Sequence, residues 1–188
     1  EAGGFVSAPI YSSVSGTVTR IDSVVDATGY RHPAIIIKVE GDEWEETIDR
    51  SAALETLDKH PELTAEEIVA RVKWGGITGM GGDGFPCHVK LCPPPTAKAE
   101  CVILNGVECE PYITADYRLE MEHADEIIEG TRLLMKAAKV TRGYIGIEEN
   151  KPKAIALCEE KLKDDDQIEV VALKQKYPQG GEKQLVDA

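Results

Sequence analysis

The chain has 188 residues, 42% of them hydrophobic and 29% charged, with a formal net charge of -13, an ordinary balance for a soluble globular protein. That charge argues against nucleic acid as a partner, because such binding needs clustered Lys and Arg to displace counterions. No run approaches the roughly 18 apolar residues of a membrane span, and no secretory leader is visible. The length suits one moderate domain, or a small domain beside a larger one. The sequence opens at Glu1 without Met and closes at Ala188 within an unfinished helical pattern, as expected of a fragment. Acidic runs at Glu40–Glu46 and Asp164–Asp166 read as solvated faces. Five cysteines, Cys87, Cys92, Cys101, Cys109 and Cys158, show no C-x-x-C spacing. Neither a zinc nor an iron–sulfur site is expected in this stretch, and reduced thiols in a cytoplasmic setting are the natural reading.

Residues 5–50 read as β. "FVSAPIYSSVSGTVTRI" and "HPAIIIKVEG" are rich in Val, Ile and Thr, with Gly, Pro and Ser as punctuation. Ser15-Gly16 is expected to turn the chain, and Asp26-Ala27-Thr28-Gly29 to form a hairpin tip. A small β module of barrel-sandwich type over 1–50 follows; its tip lacks the Lys a biotinyl or lipoyl carrier needs. Residues 51–75 form a linker and a helix. Thr64 and Glu67 supply an S/T-x-x-E capping box, Ile68, Val69 and Val72 an apolar face, and Gly75 the stop. Residues 76–188 are expected to form one α/β domain, truncated at its C-terminal side. In it the strands "CVILN", "GYIGIEE" and "IEVVALK" alternate with two helices. In the first helix Ile127, Ile128, Leu134 and Met135 face inward; the second is capped by Asn150, with Pro152 in its first turn. Alternation with short connections implies a parallel sheet with flanking helices, and ligands on such sheets sit at the carboxyl ends of the strands. That rule points to Asn105–Glu110, Glu148–Asn150 and Tyr177–Glu182.

"GITGMGGDGFPCHVKL" precedes the first of these strands, and Gly79 to Gly84 satisfies G-x-G-x-x-G. A Rossmann phosphate loop requires a strand before it and a helix opening at its last Gly. Here a helix precedes it and Phe85-Pro86 follows, so the chain is expected to run on extended. The glycines instead suit an anion nest of close backbone amides, Phe85 a stacking face and Lys90 a phosphate charge, together a cradle for a flat phosphorylated cofactor. In "NGVECEPYITADYR" Asn105 closes a strand with both donor and acceptor capacity, and Glu108 and Glu110 can accept from ribose hydroxyls. In "YPQGGEKQL" Tyr177 precedes Gly180-Gly181 at a helix start, where free amides favour anions. His88 and Cys87 read more simply as a polar contact and a small space-filling residue.

Taken together, "GMGGDGFPCHVKL", "LNGVECEPYITADYRLEMEHADEIIEGTRLLMKA", "YIGIEENKP" and "KYPQGGEKQL", with "APIYSSVSGTV" in the β module, closely resemble the C subunit of the Rnf electron-transport complex. They resemble more distantly the flavin-bearing, NADH-oxidising subunit of respiratory complex I. The resemblance spans essentially the whole chain. It implies a Rossmann-like fold of the complex I flavoprotein type that binds FMN and NAD(H), with electrons leaving through iron–sulfur clusters in sequence not present here. By motif, Gly79, Gly81 and Gly82 would contact the flavin, with Lys90 near flavin and phosphates. Phe85 would lie by the dinucleotide, Asn105 and Glu108 would contact FMN, and Glu110 would be nearer NADH. Tyr177, Gly180 and Glu182 would line the far side, and no catalytic or metal-ligating residue is implied. Asp83 stands where the family usually carries Ala, Cys87 where Thr is usual, and Cys92-Pro93-Pro94-Pro95 lacks the aromatic of the complex I relative. The implied role is part of a ferredoxin:NAD+ oxidoreductase coupled to ion transport, inactive as this stretch alone. It would be held with other Rnf subunits on the cytoplasmic face of the bacterial membrane, without inserting, and would serve ferredoxin indirectly. A related protein serving a soluble proline or cobalamin reductase, and a flavin-free scaffold, are the alternatives.

Overall fold

The structure is a computed structural model that describes residues 3–80 and 84–188. It divides into two compact units, Ile10–Ala53 and a larger one formed by Glu1–Pro9 with Leu54–Ala188.

The smaller unit is built on one antiparallel hairpin. β1 (Gly16–Val25) pairs with β2 (Arg31–Val39), Gly16 opposite Val39 and Val25 opposite Arg31, with a bulge between Val18 and Arg20. Asp26 turns the hairpin: its Oδ1 accepts from Thr28 N at 2.8 Å, and Gly29 supplies the positive φ of 85°. Two expectations are corrected. Ser15-Gly16 is no turn, since Gly16 already lies in the ladder, and among the described residues strand covers 16–25 and 31–39 rather than 5–50. In the preceding stretch Ser7 Oγ donates to Gly4 O and Ser12 Oγ to Val14 O, each at 2.6 Å. Such local bonds offer the backbone an alternative to a ladder.

In the larger unit the parallel sheet is present with its strands in sequence order. β3 (Val102–Gly106), β4 (Gly143–Glu148) and β5 (Ile168–Leu173) run side by side, Val102 opposite Gly143 and Gly143 opposite Ile168. The central strand β4 is covered on both faces, and Ile145 and Ile147 are fully buried. Each side chain so buried stabilises by about 2–3 kcal/mol. The helices α4 (Ala124–Ala138) and α5 (Pro152–Lys161) are the two crossovers. Ala124, Ile128 and Met135 of α4 and Ala154 and Cys158 of α5 join the β4 isoleucines in the main core. A second stripe of α4, Leu133 and Ala137, meets Leu63 and Ile68 around helix α1 (Ala65–Trp74). Because α4 carries two apolar stripes, Leu133 rather than the expected Leu134 joins a cluster among the described residues.

The capping box of α1 forms as the spacing predicts: Thr64 Oγ1 accepts from Glu67 N at 3.2 Å and Glu67 Oε2 from Thr64 N at 2.8 Å. Two helix ends shift by one residue. Gly75 stays right-handed and Gly76, at φ 65°, makes the left-handed exit from α1. Lys151, not Asn150, stands at the N-cap of α5, with Pro152 opening its first turn. Among the described residues three helices lie outside the predicted elements: a 3-10 turn at Leu57–Lys59, the single turn α2 (Cys87–Lys90) and α3 (Ala115–Glu122). The short α6 (Glu182–Val186) closes the chain after the Gly turn.

Candidate functional site

The two flanks of the glycine loop pair as the base of a narrow hairpin. Cys87 N donates to Ile77 O at 3.0 Å and Gly79 N to Phe85 O at 2.8 Å, with Thr78 bridged to Pro86 between them. Gly84 N then reaches back to Gly79 O at 3.2 Å. Gly81, Gly82 and Asp83, named from the sequence, lie outside the described residues. Beyond Pro86 the chain coils at once into α2, instead of running on extended. Proline permits this because its fixed φ and missing N–H cost nothing where a helix begins. The turn carries Lys90 back toward the loop: its Nζ stands 5.8 Å from the centroid of the Phe85 ring, within cation–π reach, and 3.9 Å from Glu182 Oε1. His88 turns the other way, into the protein; it is buried, its ring edge meets Phe5, and neither nitrogen has a hydrogen-bond partner.

The second predicted segment meets the third at the end of β3. Asn105 Nδ2 donates to Gly180 O at 2.9 Å while its Oδ1 accepts from Val107 N at 3.2 Å. Gly180 N donates to Cys109 Sγ at 3.3 Å. The approach is close: a Cβ at 180 would lie 3.0 Å from Val107 O and 3.2 Å from Cys109 Sγ, so both neighbours would have to give by a few tenths of an ångström. Thus the turn after β5 is clasped to the turn after β3, as the strand-end rule expects. Within it Gln179 is buried with an unpartnered Nε2, while Tyr177 is exposed. Glu110 is exposed on the β3 turn.

Glu108 behaves differently. Its carboxylate oxygens accept from Asp116 N at 2.8 Å and Tyr117 N at 3.2 Å, capping the start of α3, where Thr114 gives no side-chain cap. Lys151 Nζ lies 3.2 Å from Glu108 and 3.5 Å from Glu148, with side-chain exposures of 11% for the lysine and 1% for each glutamate. The triad ties the ends of β3 and β4 to the start of α5. Beside it, on α3, Glu120 is buried with both carboxylate oxygens unpartnered. Burial pushes this carboxyl up to about 7; Lys151 opposes the rise, and Glu108 and Asp116 add to it. Burial, then Glu108, likewise raises Asp116.

The structure therefore brings together Phe85, Lys90 and Glu182, and separately Asn105 and Gly180, at one edge, and it turns Glu108 inward. Lys151, Glu120, Gln179 and Cys109 escaped the sequence reading. For Glu120 a sign existed: it stands in the i, i+3, i+4 stripe of Tyr117, Glu120 and Met121, whose two apolar members pack on the core. Two shallow concavities lie elsewhere, one of about 380 Å³ lined by Val69, Leu91 and Ala137 among others, one of about 330 Å³ around Arg132 and Asp165. None of the strand-end residues lines either of them.

Comparison with known proteins follows the same division. Residues 72–188 match the Nuo51 FMN-binding domain, and residues 1–42 the RnfC barrel sandwich hybrid domain. Over its whole length the chain is 44% identical to the C subunit of the proton-translocating ferredoxin:NAD(+) oxidoreductase complex of Clostridium ljungdahlii. It is 42% identical to the C subunit of the Na(+)-translocating complex of Acetobacterium woodii. The chain spans 40% and 41% of the length of those two relatives. The C subunit of the ion-translocating oxidoreductase complex of Serratia proteamaculans is 40% identical over 94% of the chain, which covers 24% of that protein. In fold, 65% of the chain superposes on 23% of a chain of an NAD+-reducing NiFe hydrogenase in its air-oxidized state, with a TM-score of 0.57 and 22% identity. The chain belongs to the family of the Nuo51 FMN-binding domain, here preceded by an RnfC-type barrel sandwich hybrid domain.

Proposed function

We propose that this chain is the flavin-binding part of an RnfC-type protein, holding FMN and receiving NAD(H) at the carboxyl edge of its sheet. The observation that carries the reading is the meeting of three separate segments at one edge: the glycine hairpin through Lys90 and Glu182, the β3 end through Asn105, and the β5 turn through Gly180. The residues present fit the group. Gln179 keeps an unpartnered amide donor in the clasped turn, the edge offers the cation of Lys90, and Phe85 gives a flat face beside it. In this reading Gly79, Gly81 and Gly82 contact the flavin, Lys90 meets the phosphate, and Asn105, Tyr177, Gly180 and Glu182 line the flavin. Phe85 and Glu110 face the dinucleotide. Glu108 acts from behind, fixing the 105–110 turn through α3 and Lys151 rather than by touching the cofactor.

Bound FMN would supply the exchange between two-electron and one-electron carriers. The chain's own share is to bind, orient and shield, so positioning rather than acid–base chemistry is what its residues contribute. The wider activity, ferredoxin:NAD+ oxidoreduction coupled to ion transport, is assigned to the assembled complex with its other subunits on the cytoplasmic face of the membrane. The iron–sulfur clusters are assigned to the rest of the RnfC-type protein. Titrating the chain with FMN tests the reading. Quenched flavin fluorescence and a rise in Tm that grows with FMN are expected, because a ligand that binds only the folded state stabilises it by mass action. No quenching and an unmoved Tm would leave a flavin-free scaffold as the better account.

A further inference from the structure

Among the described residues, three buried carboxylates and one half-buried one lie around Lys151, whose side chain is 11% exposed, at the ends of β3 and β4. Glu108 and Glu148 share Lys151, at 3.2 and 3.5 Å. Glu120 has no such partner: it is 3% exposed, and neither oxygen accepts a hydrogen bond. Its position is specific. A Cβ built on Gly106 would stand 2.5 Å from Glu120 Oε1 and 2.9 Å from Gly146 O, so the carboxyl lies against the junction of β3 and β4 beside a carbonyl acceptor. The groups acting on it from neighbouring elements are few. They are Asp116 on its own helix, Glu108 on the β3 turn and Lys151 at the start of α5, which also contacts Glu148 of β4. On α5, Cys158 is raised to about 11, by burial first and then by Glu120. The part of α4 that joins this core is apolar, Ala124 and Ile128. One lysine cannot neutralise three buried carboxylates, and an uncompensated buried charge is costly enough that the group takes up a proton instead.

We propose that Glu120 is a proton-binding site behind the ligand edge, loaded from solvent at neutral pH, and that its occupancy is linked to anion binding at that edge. Protonation removes one negative charge from beneath the β3 turn, so the loaded state favours an anionic ligand there. By reciprocity, the bound anion favours the loaded state. The linkage rests on the FMN-binding reading, whereas the proton site itself does not.

The test is a titration of the chain carrying 13C-labelled glutamate, with Glu120→Gln identifying the resonance. The side-chain carbon of Glu120 should titrate with a midpoint near 7, and Lys151→Arg should leave that midpoint in place because it keeps the cation. A midpoint among ordinary glutamates, about 4.3, would overturn the proposal. FMN affinity is then measured by fluorescence at pH 6 and 8. It should fall about fivefold more with rising pH in the native chain than in Glu120→Gln, at the modest end of usual couplings. A parallel pH dependence in both proteins would overturn the linkage. If FMN binds neither protein at either pH, the flavin reading fails, and the carbon titration alone decides the proton site.

Discussion

Lys90 and Lys151 both serve the carboxyl edge of the sheet, and they do so under opposite physical conditions. Lys90 is 44% exposed and stands 3.9 Å from a glutamate that is 83% exposed, a pair that solvent and salt screen to little net worth. Lys151 is 11% exposed between two carboxylates at 1%, where water cannot take its place. The first arrangement is cheap to break and keeps its charge in contact with solvent. The second is costly to break and fixes the backbone on which the ligand would rest. The edge thus divides into a solvated front, made of the glycine hairpin, Lys90 and Glu182, and a desolvated back, made of Glu108, Glu148, Lys151 and Glu120.

The largest expected effect comes from the back. Lys151→Met should destabilise the chain by about 3–5 kcal/mol in urea unfolding, because it leaves Glu108 and Glu148 buried without their cation. A loss below about 1 kcal/mol would mean that the triad is hydrated and that the division into front and back is wrong.

Next is the pH dependence at Glu120. Its carboxyl is raised in the folded state from 4.5 to about 7, so between those values the folded chain binds more protons than the unfolded one. Stability from this group is therefore present in full at acid pH, is lost as pH rises through that window, and is flat above it. The loss amounts to about 3 kcal/mol. Glu120→Gln should remove that slope and be the more stable protein at pH 8, as read from urea midpoints across pH 5–8. Parallel pH profiles would show that Glu120 ionises freely.

Gly180→Ala joins front to back and should be intermediate. The added Cβ crowds Val107 O and Cys109 Sγ, so the clasp loosens at a cost of about 1–3 kcal/mol. Its FMN affinity should fall with its stability. Smallest in stability is Lys90→Ala, expected within about 0.5 kcal/mol of the native chain. The same change should weaken FMN binding about tenfold, the worth of a charge-assisted contact. A variant that lost stability but kept affinity would reverse the roles assigned to the two lysines.

What the sequence made legible follows the range of the interactions. The capping box of Thr64 and Glu67 is local, and the alternation of three strands with helices is written in consecutive segments; both formed as read. The convergence of Asn105–Glu110 with Tyr177–Glu182 was legible from the general rule for parallel sheets, without either segment declaring its partner. The inward contacts of Glu108 were not legible. Its oxygens are engaged by backbone amides of α3 and by Lys151, residues brought to it only by the β–α–β path, and nothing in "NGVECEP" distinguishes a carboxylate facing inward from one facing a ligand. The same holds for Leu133 and Leu134, both half-buried, of which Leu133 packs in the cluster around α1. Ser15-Gly16 misled because its turn chemistry is real but the ladder had already begun.

Whether the edge is a flavin site is tested most directly by equilibrium titration of the native chain and of Lys90→Ala with FMN. Saturable quenching by the native chain, weakened about tenfold in a Lys90→Ala protein of unchanged Tm, is the predicted result. Equal affinity in the two proteins, or no quenching by either, would contradict it.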